Sequence, residues 1–126
     1  MARPSVSGEK PLYWVGASLK DTVRFPQNVQ RSIGFALSAA QYGGKHLAAK
    51  PWKGEGPGIL EVVKDYDGDT YRAIYTVRFA RAVYVLHAFQ KKSPRGIETR
   101  QSDVDLVSAR LKMAQRDYEE RYGQGG

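Results

Sequence analysis

The 126-residue chain contains no cysteine. That excludes disulfides and every zinc site built on thiolates, and it fits a reducing compartment. Long hydrophobic runs are missing too. No stretch approaches the roughly 20 apolar residues needed to span a bilayer, and the opening MARPSVSGEKP lacks the apolar segment of a secretory leader. A cytoplasmic protein with no membrane-embedded part is expected. Acidic residues are the third shortage: 13 stand against 20 lysines and arginines, for a formal net charge of +7 and a pI near 9.7. Such a field concentrates anionic partners, meaning nucleic acid, an acidic protein or an anionic surface, without choosing among them.

The length suits one domain with a real core. Residues 1–10 read as a flexible polar N-terminus, residues 11–122 as the folded domain and residues 123–126 as a flexible tail. Leu12 to Val15 can form a short strand before Gly16. Ser18 can cap a short helix from Leu19 to Phe25, with Asp21 favourably placed near its N-terminus, and Pro26 ends that helix and starts the next. From Gln27 to Tyr42 the residues Val29, Ile33, Ala36, Leu37 and Ala40 recur at helical spacing, and Gly43-Gly44 offers a left-handed stop. The loop KHLAAKPWKGEGPG leads to a strand from Ile59 to Tyr66, and Asp67-Gly68 is the turn of an antiparallel hairpin. A third strand of this sheet spans Ala82 to Gln90. After the loop KKSPRGIE, Thr99 can cap a helix from Arg100 to about Tyr122, with Val104, Val107, Leu111, Ala114 and Tyr118 as its apolar stripe. The expected class is α+β in the order β-α-α-β-β-β-α, with an N-terminal helical hairpin packed on a small, mainly antiparallel sheet plus a C-terminal helix.

What the chain does have is the basic, strand-like run YRAIYTVRFARAVYVLHAFQKKSPRG from Tyr71 to Gly96. Strand alternation puts Arg72, Thr76 and Arg78 on one face, polar and cationic, and Ala73, Tyr75 and Val77 on the other, mostly core. Further along come His87, Lys91, Lys92 and Arg95. Cleaving RNA without a metal takes a base for the 2′-hydroxyl, cations for the phosphorane charge and an acid for the leaving 5′-oxygen. His87 suits acid or base work because its ordinary pKa lies closest to neutrality. Arg72 and Arg78 suit a phosphate through their planar forks, whereas Lys53, Lys91 and Lys92 act as point charges. Phe89 shares a strand face with His87 and Lys91 and could stack on an unpaired base. Lys50 and Lys53 flank Pro51-Trp52. Each has a plainer alternative: a packed histidine, a solvated sheet face, a core phenylalanine, a loop anchored by Trp52.

Other patterns carry no chemistry. Asp65, Asp67 and Asp69 around Gly68 lack the later glutamate of a calcium loop. Gly54, Gly56 and Gly58 precede a strand rather than a helix N-terminus, so they do not form a phosphate loop. His46 has no ligand partner at metal spacing.

The element order, together with AKPWKG, GILEV, DGDTYRAIYTVRF, VYVLHAFQKKSPRGIET and the closing amphipathic helix, resembles the Gp49-like branch of the HigB toxins, within the RelE/ParE superfamily. The resemblance covers roughly Leu12 to Met113. It implies a RelE-like fold and the toxin of a type II toxin–antitoxin system, a ribosome-dependent endonuclease that cuts mRNA in the ribosomal A site. It also implies a HigA-type helix-turn-helix antitoxin, a toxin–antitoxin hetero-oligomer, and neither metal nor cofactor. Arg72, His87, Lys91, Arg78 and Lys53 would then be catalytic, and Lys50, Phe89, Lys92 and Arg95 would bind RNA. A ParE-type gyrase-targeting toxin and a non-catalytic nucleic-acid-binding module remain the alternatives.

Overall fold

The turn Asp67-Gly68 organises the sheet: both residues have positive φ, 54° and 84°, the pair of left-handed conformations that a tight two-residue hairpin demands. It joins β3 (Ile59–Tyr66) to β4 (Asp69–Thr76) in the computed structural model, which describes residues 8–91 and 100–123. β4 then pairs antiparallel with β5 (Val83–Lys91), and β1 (Leu12–Trp14) lies parallel on the other side of β5. A further short strand, β2 (Ala49–Pro51), pairs antiparallel with β3 and completes the order β1-β5-β4-β3-β2. The sequence reading had that segment as loop. Three residues ending in proline carry no alternation signal, and only the edge of β3 holds them extended.

Three helices complete the fold: α1 (Ser18–Thr22), α2 (Gln27–Gln41) and α3 (Gln101–Tyr122). α2 buries the expected Val29, Ile33, Ala36, Leu37 and Ala40, and ends where Gly43, at φ 83°, lets Gly44 donate back to the Ala39 carbonyl. α1 stops short of Phe25, and Ser18 does not cap it. The Ser18 hydroxyl is buried and donates instead to the Val85 carbonyl, 3.2 Å away, which ties α1 to β5. α3 buries Val107, Leu111, Ala114 and Tyr118, with Val104 half-buried at its N-terminal end. The expected Thr99 cap lies outside the described residues.

The two long helices cover opposite faces of the sheet. α2 packs with Val62, Ala73, Tyr75 and Val85, whereas α3 packs with Trp52, Ile59, Ile74 and Leu86. This corrects the expected cationic face of β4, since Arg72 shares its side with Ile74 and Thr76, both fully buried. A central strand between two helical layers has no solvent face. The candidate site lies on this face of the sheet, at the N-terminal end of α3.

Candidate functional site

Arg72 is the hub of the sheet register. It stands opposite Val63 on one side and Phe89 on the other, while the neighbouring row runs Lys50, Glu61, Ile74, His87 and the row beyond holds Thr70 and Lys91. Directly opposed residues share a face, so all of these side chains lie on the α3 side. β5 achieves this only through a β-bulge: the register shifts between Ile74 and Tyr75, so that Tyr75 opposes Val85 and Ile74 opposes His87. The extra residue, Leu86, inverts the alternation. Tyr84 and Leu86 face α3 before it, and His87 and Phe89 face α3 after it.

The Arg72 guanidinium donates from Nη1 to Glu61 Oε2 at 2.9 Å, with only 12% and 11% of the two side chains exposed. Lys50 approaches the same carboxylate at 3.9 Å from the solvent side. Burying a carboxylate is costly unless cations and hydrogen bonds compensate, and here two cations do. Lys50, Trp52, Lys53, Glu61, Arg72 and Val104 line a hollow of about 540 Å³. Arg72 Nε and Trp52 Nε1 are buried and have no hydrogen-bond acceptor among the described residues. The arrangement is a cradle of cations with a carboxylate set into its floor.

His87 is buried, its ring stacked on Phe89 at 4.7 Å and 22°. Its Nε2 lies 2.8 Å from Asp103 Oδ1 in the first turn of α3. A carboxylate accepts, so Nε2 carries the hydrogen, and the buried Nδ1 has no partner among the described residues. Beside this pair, Phe89, Lys91, Arg100 and Asp103 line a smaller hollow of about 200 Å³. Lys91 therefore stands on the opposite side of the Arg72 row from Glu61.

Arg78 is not in the cradle. It follows β4, and its guanidinium donates to the Pro57 carbonyl at 3.1 and 3.2 Å and also to the Glu55 carbonyl. Gly58, at φ 87°, packs so closely that a Cβ would come within 3.2 Å of Arg78 Cα. Arg78 thus grips the loop that carries Lys53. Lys92 and Arg95 lie outside the described residues.

Sequence reasoning missed Glu61, Asp103 and Arg100. Glu61 did leave a signal, a lone acid between Ile59 and Val63 on one strand phase. Asp103 and Arg100 left none, because only the docking angle of α3 brings them to β5. Among the described residues, no three His, Cys, Asp or Glu side chains are grouped to hold a metal ion.

A second cluster of charged and aromatic groups lies between β1 and the C-terminal half of α3, around a hollow of about 410 Å³. There Tyr84 donates to Asp117 at 2.6 Å, Arg121 donates to the same carboxylate at 2.7 Å, and the Tyr13 and Tyr122 hydroxyls meet at 2.9 Å. Burial works to raise the Asp117 carboxyl, but the bonds from Tyr84 and Arg121 and the charge of Arg121 outweigh it and hold the group below its ordinary range. Burial, then the hydrogen bond with Tyr13, pushes the Tyr122 phenol up to about 12. These groups satisfy one another and bind α3 to the sheet.

With the geometry in view, likeness to known sequences separates the two clusters. The pattern of the phage-derived Gp49-like family matches residues 20–112, and so takes in the whole cradle and the His87–Asp103 pair. The chain belongs to the Gp49-like family. That family sits within the RelE/ParE-like toxin superfamily and is toxin-like, which implies an antitoxin partner. The match ends before Asp117 and Arg121, leaving part of the second cluster outside it. No curated protein and no solved structure matches the chain. Among the described residues, no helix is long and apolar enough to cross a membrane.

Proposed function

We propose that this Gp49-like protein is the toxin of a type II toxin–antitoxin pair and cuts mRNA on the ribosome without a metal ion. The observation that carries the reading is the cradle, in which Arg72, Lys50 and Lys53 converge beside a buried carboxylate. A scissile phosphate seated on the Arg72 fork would meet Lys50 and Lys53 on its outer oxygens, where the phosphorane charge develops. Glu61 would take the 2′-hydroxyl proton, and Lys91, across the Arg72 row, would protonate the 5′-oxygen. Base and acid on opposite sides of the phosphate are what in-line displacement requires.

His87 takes a different part from acid or base catalysis in this reading. Its Nε2 is engaged by Asp103 and its Nδ1 is buried, so neither ring nitrogen is open to substrate. In this reading it positions Phe89 and the N-terminal turn of α3. A carboxylate held in an ion pair with the arginine that must bind phosphate makes a weak nuclease, which accords with a ribosome that supplies the reactive RNA conformation and an antitoxin of HigA type that blocks entry.

The test is to map mRNA 5′ ends after brief expression of the wild type, Arg72→Lys and Glu61→Gln in a bacterial host. New 5′-hydroxyl ends inside translated codons, lost in both variants, are expected. Growth arrest without such ends would overturn the endonuclease reading.

A further inference from the structure

We propose that Arg110 is a positioning residue of the candidate site: it locks the β-bulge at Leu86 and so keeps Phe89 and Lys91 on the same face of the sheet as Arg72. The catalytic consequence rests on the proposed function, whereas the lock itself is a property of the fold and is testable without RNA.

Leu86 is the residue that the β4 register passes over, since Tyr75 opposes Val85 and Ile74 opposes His87. It is fully buried, and a buried carbonyl left out of a ladder needs a donor from elsewhere. The segment beside it does not supply one. Past Trp14 the chain makes one more backbone bond to β5, from the Val15 N–H to the Val85 carbonyl at 2.9 Å, and then turns away at Gly16 with φ 56°. Arg110, from the middle of α3, fills the gap by donating from Nη1 to the Leu86 carbonyl at 3.0 Å. Its guanidinium lies against the bare backbone of Gly16, where a Cβ would come within 2.9 Å of Nε and 3.0 Å of Cζ. Glycine at this position therefore provides both the left-handed turn and the seat for the arginine.

The bulge needs holding because a strand slipped by one residue sends every side chain to the opposite face. Were Leu86 drawn into the ladder with β4, Ala88 and Gln90 would turn towards α3, and His87, Phe89 and Lys91 towards α2. The 2.8 Å contact between His87 and Asp103 would be lost, and Lys91 would leave the side of the sheet on which Arg72 lies. One stripe of α3 opposes this slip. Asp103, Val107 and Arg110 recur at helical spacing: Asp103 bonds the His87 ring, Val107 is buried in the same cluster as Leu86, and Arg110 bonds the Leu86 backbone. Of these three bonds and contacts, only that of Arg110 holds the β5 main chain, and so it acts on register rather than on the direction of one side chain. Arg110 does not line the hollow around Arg72, so its influence on that site passes through the strand.

The test uses the full chain carrying Arg110→Ala, Arg110→Lys or Gly16→Ala, the last of which displaces the guanidinium while leaving Arg110 in the sequence. NMR reads the register through cross-strand NOEs from Ile74 to His87 and from Arg72 to Phe89, and cleavage of mRNA on ribosomes reads kcat and KM separately. In Arg110→Ala and Gly16→Ala these NOEs should give way to ones from Ile74 to Leu86 and from Arg72 to Ala88. With that change kcat should fall by at least about tenfold while KM stays within about twofold, because a lysine on the wrong face no longer meets the leaving oxygen. Arg110→Lys keeps one donor for a single carbonyl and should retain the native NOEs and most of kcat. Ethylguanidinium added to Arg110→Ala should restore both, a response that a merely loosened fold would not give. Native NOEs in Arg110→Ala and Gly16→Ala would overturn the proposal whatever the change in thermal midpoint, and shifted NOEs with an unchanged kcat would overturn the positioning role. Gly16→Ala carries the same reading should Arg110→Ala not fold. A protein that cuts no RNA but changes register in these variants would keep the lock and sink the endonuclease reading alone.

Discussion

Glu61 and Arg72 hold each other inside the sheet, and each supplies what the other would otherwise lack. Removing one leaves a buried charge with a weaker partner, whereas replacing both with apolar residues removes the desolvation cost along with the attraction. Arg72→Met should therefore cost on the order of 2–3 kcal/mol, with Lys50 at 3.9 Å compensating the rest, and Arg72→Met/Glu61→Leu should regain most of that loss. Urea midpoints measure both, and both variants should be inactive in RNA cleavage. A double variant no more stable than the single one would mean that the pair is not desolvated as described. Tyr75 makes a contrasting case. Its hydroxyl is buried without a hydrogen-bond partner among the described residues, and burial pushes its pKa up to about 12. The unfolded phenol ionises near 10, so folding keeps a proton that the unfolded chain releases. The contribution to stability is therefore complete below pH 10 and is lost as the pH climbs through 12. Tyr75→Phe should match or exceed the wild type in stability at neutral pH and should flatten the alkaline fall of the urea midpoint.

At the scale of elements, the loop from Lys53 to Gly58 depends on Arg78. Three donor contacts from one guanidinium to two carbonyls fix the path of a segment containing three glycines. Arg78→Ala should speed amide hydrogen exchange at residues 54–58 and lower cleavage by roughly tenfold or more, because a displaced Lys53 no longer meets the phosphate. Arg78→Lys should not rescue either, since an ammonium cannot span both carbonyls as the planar fork does. Cleavage that falls while exchange stays unchanged would return Arg78 to direct RNA contact. The distinction also shows what the sequence could tell. Hairpin, helix stripes and hinge glycines are local patterns, and α2, β3, β5 and α3 were legible from them to within a residue or two. So was the shared strand face of His87, Phe89 and Lys91. The placement of that face against Arg72 was not legible, because it depends on one extra residue, Leu86, that strict alternation cannot anticipate. Likewise β2 exists only because β3 offers it an edge, and Arg78 leaves the face of Arg72 because β4 ends at Thr76.

Across the whole molecule two groups of cations sit in different surroundings. Lys50, Lys53 and Arg72 surround a polar hollow on the α3 side, and Lys20, Arg24 and Arg31 are exposed on and around α1 and α2. Net charge alone treats them as equivalent. Counterion release separates them. Each cation that neutralises a phosphate of single-stranded RNA adds roughly 0.7 to the slope of log affinity against log salt. Lys50→Ala/Lys53→Ala should therefore reduce that slope by about 1.4 and weaken RNA binding. Lys20→Ala/Arg24→Ala removes the same charge from the protein but should leave the slope nearly unchanged. Fluorescence anisotropy of a labelled RNA across a salt series measures both. Equal reductions would mean that RNA follows the net field rather than the cradle, and the hollow around Arg72 would then have no privileged claim to the phosphate. Unequal ones would tie RNA to the cations around Arg72 rather than to the net charge of +7.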